Sequence, residues 1–230
     1  MITLTELGAV ACCLGWLASY VLMIRQTHVD QVPAMPFIPL CINFAWELVF
    51  GFVLPDPSPV AMWIDRAWFA VDCVLLVQLL RYGPREMSLP VPRRWYAPAA
   101  FAAIGLAIAG IYTFTLDTSD WGGKYTGWGD QVVNSIAFMC LLARRRSSRG
   151  QSLYIVLFRS LGTLPLIPFQ LTITPSSRFV PFVWVAYLAL DLAYCVMLYR
   201  QCRAEGRDPW RLFGRAPARA ELSLAAPIAA

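Results

Sequence analysis

Four side chains interrupt long apolar runs in this sequence: Glu47, Asp72, Arg159 and Asp191. A charge at the centre of a membrane helix costs on the order of 2.5–3.5 kcal/mol or more, and such residues are functional by default. One guanidinium fully neutralises one carboxylate, which leaves two of the three acids to be protonated, solvated or paired with polar groups. Burial disfavours a charged form, so at least one is expected to stand as a neutral acid, the state a proton donor requires. The neighbours sharpen this. Asn43 lies one helical turn before Glu47, with Trp46 and Phe50 alongside. Asp65, Trp68, Phe69 and Asp72 form one stripe, and Trp184, Tyr187, Asp191 and Tyr194 form another. An aromatic stripe alone reads as packing. Beside an unpaired acid it also reads as a cation-stabilising surface, because π-faces attract positive charge.

The elements that must position these groups follow from composition. Of 230 residues, 58% are hydrophobic and 14% charged, against about 45–50% and about 25% in soluble domains. Apolar runs cover Leu7–Ile24, Pro36–Leu54, Trp63–Tyr82, Tyr96–Leu116, Gly127–Ala143, Gln151–Leu171 and Phe179–Tyr199, joined by segments rich in Pro, Gly, Asp, Ser and Arg. The expectation is an all-α membrane protein of seven transmembrane helices over residues 1–200, followed by a flexible cytoplasmic tail over 201–230. Asp130, Gln131 and Asn134 dilute the first turns of the fifth run. At the helical rise, Glu47 and Asp72 come out about 13 Å from the outer edge of the membrane core, and Arg159 and Asp191 about 18 Å. The four therefore share a depth to within about one helical turn.

Arginine placement orients the set. One side gathers Arg25, Arg81, Arg85, Arg93, Arg94, Arg144, Arg145, Arg146, Arg149 and six more from Arg200 to Arg219. The other side has Arg66, Lys124 and Arg178, together with Asp56, Asp65, Asp117 and Asp120. The positive-inside rule then predicts an outside N-terminus and a cytoplasmic C-terminus. A removed signal peptide is not expected, since Met1 to Glu6 carries no basic stretch. An offset of 119 residues superposes Arg25 on Arg144, Asp72 on Asp191, Arg81 on Arg200 and Glu86 on Glu205. These matches suggest a parallel repeat of helices 1–3 and 5–7, with helix 4 as connector.

Several chemistries are disfavoured. His28 is the one histidine and Lys124 the one lysine, which argues against histidine triads and against a Schiff base within a span. The seven cysteines lie mostly in apolar runs, without metal-ligand spacing, and read as small buried hydrophobes. No Gly-rich phosphate loop, paired-aspartate motif or nucleic-acid footprint is present, so no metal, cofactor or nucleic-acid partner is expected.

Asn43-Phe-Ala-Trp46-Glu47 on the second run, Asp72 on the third, Arg159-Ser-Leu-Gly-Thr163 on the sixth and Leu190-Asp191-Leu-Ala-Tyr194 on the seventh resemble one family. It comprises the small integral-membrane terpene cyclases of meroterpenoid and indole-diterpene pathways. The resemblance spans nearly the whole chain up to Arg200, and the scarcity of Lys beside abundant Arg and Ala points to a bacterial member. It implies cyclisation of a prenyl chain, farnesyl or geranylgeranyl, carried on an indole or other aromatic head. The reaction would start by protonation of the terminal alkene or epoxide. It also implies that the acids of the second and seventh helices, here Glu47 and Asp191, are the catalytic pair. On this reading Glu47 donates the proton and Asn43 orients it, while Asp191 supports that acid or relays protons. Asp72 joins the catalytic acids, and Arg159 pairs with Asp191 or Asp72. Trp46, Trp68, Trp184 and Tyr187 shield carbocations, and Phe69 and Tyr194 complete the substrate-binding set. A runner-up reading is a small-solute or proton-coupled transporter of three-plus-one-plus-three architecture, similar in outline to PQ-loop transporters but lacking their Pro at both expected positions. A third is a membrane scaffold, which leaves the co-planar acids without a purpose. The resemblance leaves chain length, ring number and oligomeric state open.

Overall fold

The computed structural model describes residues 4–86 and 92–212, and these are all-helical. Eight α-helices follow in order: α1 (Leu4–Asp30), α2 (Phe37–Leu48), α3 (Pro59–Tyr82), α4 (Tyr96–Thr118), α5 (Thr126–Arg145), α6 (Leu153–Thr163), α7 (Leu166–Ile173) and α8 (Phe179–Ala204). The pair α6 and α7 is one rod broken at Leu164 and Pro165, which makes seven rods among the described residues. Proline supplies no N–H to the preceding turn and clashes with it, so the expected continuous run over 151–171 is interrupted there. The second rod is also irregular. A π-helical turn, Val49–Val53, follows α2 directly after Glu47 and Leu48, and such turns gather at functional sites.

Leu7–Asp30, Arg93–Thr118 and Phe179–Ala204 are long and apolar enough to cross a membrane, and Phe37–Val53 and Leu153–Pro168 are shorter apolar helices. The remaining long helices carry the polar groups: Asp65, Arg66 and Asp72 on α3, and Asp130, Gln131 and Asn134 on α5. Burial is inverted relative to a water-soluble protein. Leu14, Val77, Leu106 and Val185 face outward, while Asp72, Asn134 and Arg159 are enclosed. A hydrocarbon surrounding demands this arrangement.

Local signals set the helix ends. Ser58 caps α3 by accepting from the Ala61 N–H, with Pro59 next in line, and Ser152 caps α6 by accepting from the Tyr154 N–H. The helix α8 runs past the expected span to Ala204. Beyond it Trp210 returns against Tyr154, whose hydroxyl donates to the Trp210 carbonyl at 2.9 Å. Most of the expected tail, residues 213–230, lies outside the described residues.

The principal packing partners of α1 are α3 and α6, and those of α5 are α8 and α2; α3 also packs on α2, and α8 on α6. Exchanging α1 with α5, α2 with α6 and α3 with α8 leaves these pairings unchanged, and α4 adds itself to the face of α2. Single residues follow the same rule. Gly15 on α1 meets Gly162 on α6, and Asn134 on α5 meets Asn43 on α2. Each member of one pair stands 119 residues from its counterpart in the other. The glycine seam is tight: a Cβ on Gly15 would lie 2.4 Å from the Gly162 Cα.

The arginine-rich end is cross-linked by hydrogen bonds around a smaller cavity of about 380 Å³, lined by Pro33, Glu86, Tyr96 and Arg145 among others. Glu86 pairs with Arg145, whose guanidinium also donates to the Pro33 and Arg149 carbonyls. Asp30 accepts from the Gly150 N–H at 2.7 Å. Gly150 has a φ of +74°, and a side chain there would press on Val32 and Pro33. The opposite end holds a larger cavity.

Candidate active site

The cavity has a volume of about 500 Å³, within the range of small-molecule sites. Its mouth lies between the segment after the π-turn, at Asp56–Ser58, and the α4–α5 connection, at Trp121–Lys124. Its walls come from α1, α2, α3, α5 and the broken sixth rod. Five tryptophans line it: Trp16, Trp46, Trp68, Trp121 and Trp128. The helix pattern explains how they converge. Tyr20 follows Trp16 by one turn on α1, Trp46 precedes Phe50 on the second rod, and Trp68 follows Asp65 by three on α3.

The α4–α5 connection is shaped to hold the mouth. Asp120 accepts from the backbone N–H groups of Tyr125 and Thr126 and from the Thr126 hydroxyl. Gly123, at φ +67°, lies flat against the Trp46 indole, where a Cβ would come within 2.4 Å of the ring. Trp46 in turn donates its indole N–H to Thr126 Oγ1 at 3.1 Å. Asp56 at the mouth is partly buried, which holds its carboxyl above the usual range, opposed by the bond it accepts from the Ser58 N–H.

Glu47 is the acid deep in this aromatic chamber. It is 2% exposed and lines the cavity. The Tyr20 hydroxyl donates to its Oε1 at 3.0 Å, and its Oε2 is buried without a hydrogen-bond partner. The Asn43 amide donates to the Tyr20 oxygen at 2.9 Å, so Asn43 reaches Glu47 through Tyr20. The chain of bonds continues: Asn134 donates to Asn43 Oδ1 at 3.3 Å and to Asp130 Oδ2 at 2.9 Å. Asp72 sits off the cavity wall, fully enclosed, with its carboxyl against that of Glu47, and neither of its oxygens accepts from an N–H or hydroxyl donor.

Asp191 is held quite differently. It pairs with Arg159, accepts from Ser135 Oγ at 2.6 Å, and accepts from Ser160 Oγ through its second oxygen. The Arg159 guanidinium also lies 4.8 Å from the Phe138 ring centroid. Neither Arg159 nor Asp191 lines the cavity.

Among the expected site residues, Glu47, Asn43, Trp46 and Trp68 are brought together on the cavity wall. Trp184 and Tyr187 stand behind it, packed on Trp128 at 5.6 and 6.5 Å between ring centroids. Phe69 packs between Phe44 and Phe52. Tyr194 donates to Gln151 and stacks on Phe138, away from the chamber. The structure adds Tyr20, Trp16, Trp128, Asp65, Asp130 and Asn134 to the site. Asp130 and Asn134, four apart in an apolar run, were a visible signal for one polar helix face. Tyr20 carried no signal, because a single tyrosine in an apolar helix is indistinguishable from packing.

The family model of Pyr4-like transmembrane terpene cyclases matches residues 2–204. The chain is 31% identical over 215 residues to the terpene cyclase pyr4 of Aspergillus fumigatus, covering 85% of this chain and 86% of that protein. It is 33% identical over 162 residues to the terpene cyclase trt1 of Aspergillus terreus, covering 69% and 75%. It is 27% identical over 208 residues to the terpene cyclase dpchB of Colletotrichum higginsianum, covering 85% and 86%. No solved structure matches the chain.

Proposed function

The chain belongs to the Pyr4-like transmembrane terpene cyclases, multi-pass membrane enzymes, and from that premise we propose that it cyclises the prenyl chain of a farnesylated or geranylgeranylated indole or other aromatic. The observation that carries this reading is Glu47. It is an acid deep in a tryptophan-lined chamber, one oxygen fixed by Tyr20 and its carboxyl set against that of Asp72.

The chain end of the prenyl group enters past Trp121 and Lys124 and reaches Glu47, while the polar head stays at the mouth beside Lys124 and Asp56. Glu47 gives its proton to the terminal epoxide oxygen or to the terminal alkene carbon. The epoxide C–O bond opens, or the alkene π-bond is consumed, and a tertiary cation results. The next alkene attacks that carbon, and each ring closure moves the positive charge one unit along the chain. Trp16, Trp46, Trp68 and Trp128 present π-faces to the travelling charge and exclude the water that would quench it. Asp72 sets its carboxyl against that of Glu47, where two negative charges are costly, so the pair keeps at least one proton, and Glu47 is its member on the cavity wall that can deliver it. Asp191 acts through its bond to Arg159, bracing α6 and α8 behind Trp128, Trp184 and Tyr187. No cofactor or metal enters this scheme.

The same reading takes the seven rods as seven transmembrane helices in a three-plus-one-plus-three parallel repeat. The exchangeable packing of α1–α3 with α5–α8 and the 119-residue offset of the Gly15–Gly162 and Asn134–Asn43 contacts support it. The arginine bias places the N-terminus outside and the C-terminus in the cytoplasm, so the cavity mouth opens on the outer side.

Membranes carrying the protein, incubated with farnesylated and geranylgeranylated phenols and indoles with and without a terminal epoxide, are expected to yield a cyclic isomer of unchanged mass. Glu47→Gln keeps the shape and removes the proton, and turnover should fall by about 100-fold or more. Cyclisation at the wild-type rate in that variant ends the assignment.

A further inference from the structure

A proton-initiated cyclisation needs an acid to begin and a base to finish, and the two need different surroundings. The cavity wall carries two acids besides Glu47 and the mouth residue Asp56, namely Asp65 and Asp130. Asp65 lies near the Cys12 and Cys13 thiols. Asp130 is 8% exposed and is the cavity acid within electrostatic reach of the Arg159 guanidinium. Its Oδ2 is fixed by the Asn134 amide at 2.9 Å, while its Oδ1 is buried with no hydrogen-bond partner. Glu47 shares this pattern of one anchored and one unpartnered oxygen. What sets Asp130 apart is the Arg159 guanidinium, whose positive charge offsets part of the cost of burial and favours the ionised form a general base requires.

Asp130 is also tied to the acid. From Asp130 the bonds run through Asn134 to Asn43, from Asn43 to the Tyr20 hydroxyl, and from there to Glu47. One hydrogen-bonded chain across α5, α2 and α1 thus fixes both carboxyl groups relative to each other.

We propose that Asp130 is the base that ends the reaction, an inference that rests on the cyclase reading above. Its carboxylate takes a proton from the carbon next to the final cation. That C–H bond breaks, its electron pair becomes the new C=C bond, and the proton stays on Asp130. One proton leaves Glu47 and one arrives at Asp130, so substrate and product are isomers and nothing is oxidised. Water entering the emptied chamber through the mouth takes the proton from Asp130 and restores the one on Glu47. The Asn134–Asn43–Tyr20 chain positions the two groups, so these three are positioning residues.

The test compares products of wild type and Asp130→Asn in heavy water. The substitution is isosteric and leaves an oxygen for the Asn134 bond. Substrate consumption and the deuterium delivered at initiation should persist. The deprotonated alkene product should fall by about 100-fold, replaced by hydrated and early-terminated products, and Asp130→Glu should restore it. An unchanged product spectrum overturns the assignment of Asp130 while leaving the Glu47 role standing. Loss of all consumption in a folded Asp130→Asn protein also overturns it, because a terminal base acts after initiation. If Asp130→Asn does not accumulate in membranes, Asn134→Ala, which unhooks the carboxyl but keeps it, should shift products the same way, and an unchanged spectrum there is equally fatal. A wild-type protein inert toward every substrate takes down the cyclase reading and the base with it.

Discussion

Asp72 on α3 and Asp191 on α8 stand 119 residues apart at corresponding places in two similarly packed halves, yet the protein treats them in opposite ways. Around Asp191 every oxygen is satisfied, by Arg159, Ser135 and Ser160. The positions 119 residues earlier hold Leu40, Trp16 and Cys41, all buried. Leucine has no donor, the Trp16 N–H goes to Thr163, and the Cys41 thiol is spent on the Ala100 carbonyl. Asp72 is therefore left without an N–H or hydroxyl donor, and its carboxyl meets that of Glu47 instead. The difference shows how one framework makes two kinds of acid. A saturated carboxylate beside a guanidinium is a brace, and a bare carboxyl beside another acid is a source of chemical pressure.

The largest expected effect comes from breaking the saturated side. Arg159→Met leaves Asp191 buried without its cation and should cost about 3–5 kcal/mol, seen as a lower thermal midpoint and poor recovery in detergent. Asp72→Asn still sets an oxygen and an amide against Glu47 and should change stability by about 1 kcal/mol or less while reducing turnover. Equal destabilisation by the two would erase the contrast.

The two matching seams sharpen it at smaller scale. Gly15→Ala pushes a methyl into the Gly162 backbone and should cost about 1–3 kcal/mol, with activity falling only as folded protein is lost. Asn43→Ala removes the bonds to Tyr20 and Asn134 and should cost about 1 kcal/mol per bond, with turnover falling further than stability. Melting curves and product yields taken together separate the two. The smallest effect is at the mouth. Burial holds the Asp56 carboxyl high, so the folded chain binds that proton more tightly than the unfolded chain. The stabilisation is complete below the unfolded value of about 3.9 and is lost as pH rises through the folded value. Asp56→Asn should flatten that decline in thermal midpoint.

Helix existence was plain from the sequence because hydrocarbon forces long apolar runs, and each expected run contains a helix of matching type. The breaks were less visible. Pro165 stands in the run expected as continuous, but proline is tolerated in membrane helices often enough that its effect is decided by the neighbours. The π-turn after Leu48 left no compositional mark at all. Within the site, Glu47, Asn43 and Trp46 were legible because a carboxylate, an amide and an indole at helical spacing are costly together. Asp65 is legible as a member of the stripe with Trp68, Phe69 and Asp72, but its burial depends on where α1 and the chamber lie, which local pattern does not record. Family membership favours the enzyme over the transporter that the same repeat allowed.

Apolar length and the cost of intramembrane charge are properties of local composition, and they were enough to settle the membrane setting, the seven rods of the described residues and which helices carry acids. Tertiary structure alone decided which acid faces open space, which is locked to Arg159 and which is joined to Glu47 through Tyr20 and two asparagines. Those outcomes depend on contacts between helices far apart in the chain, where a hydrogen bond at 3 Å turns on packing that no local pattern records.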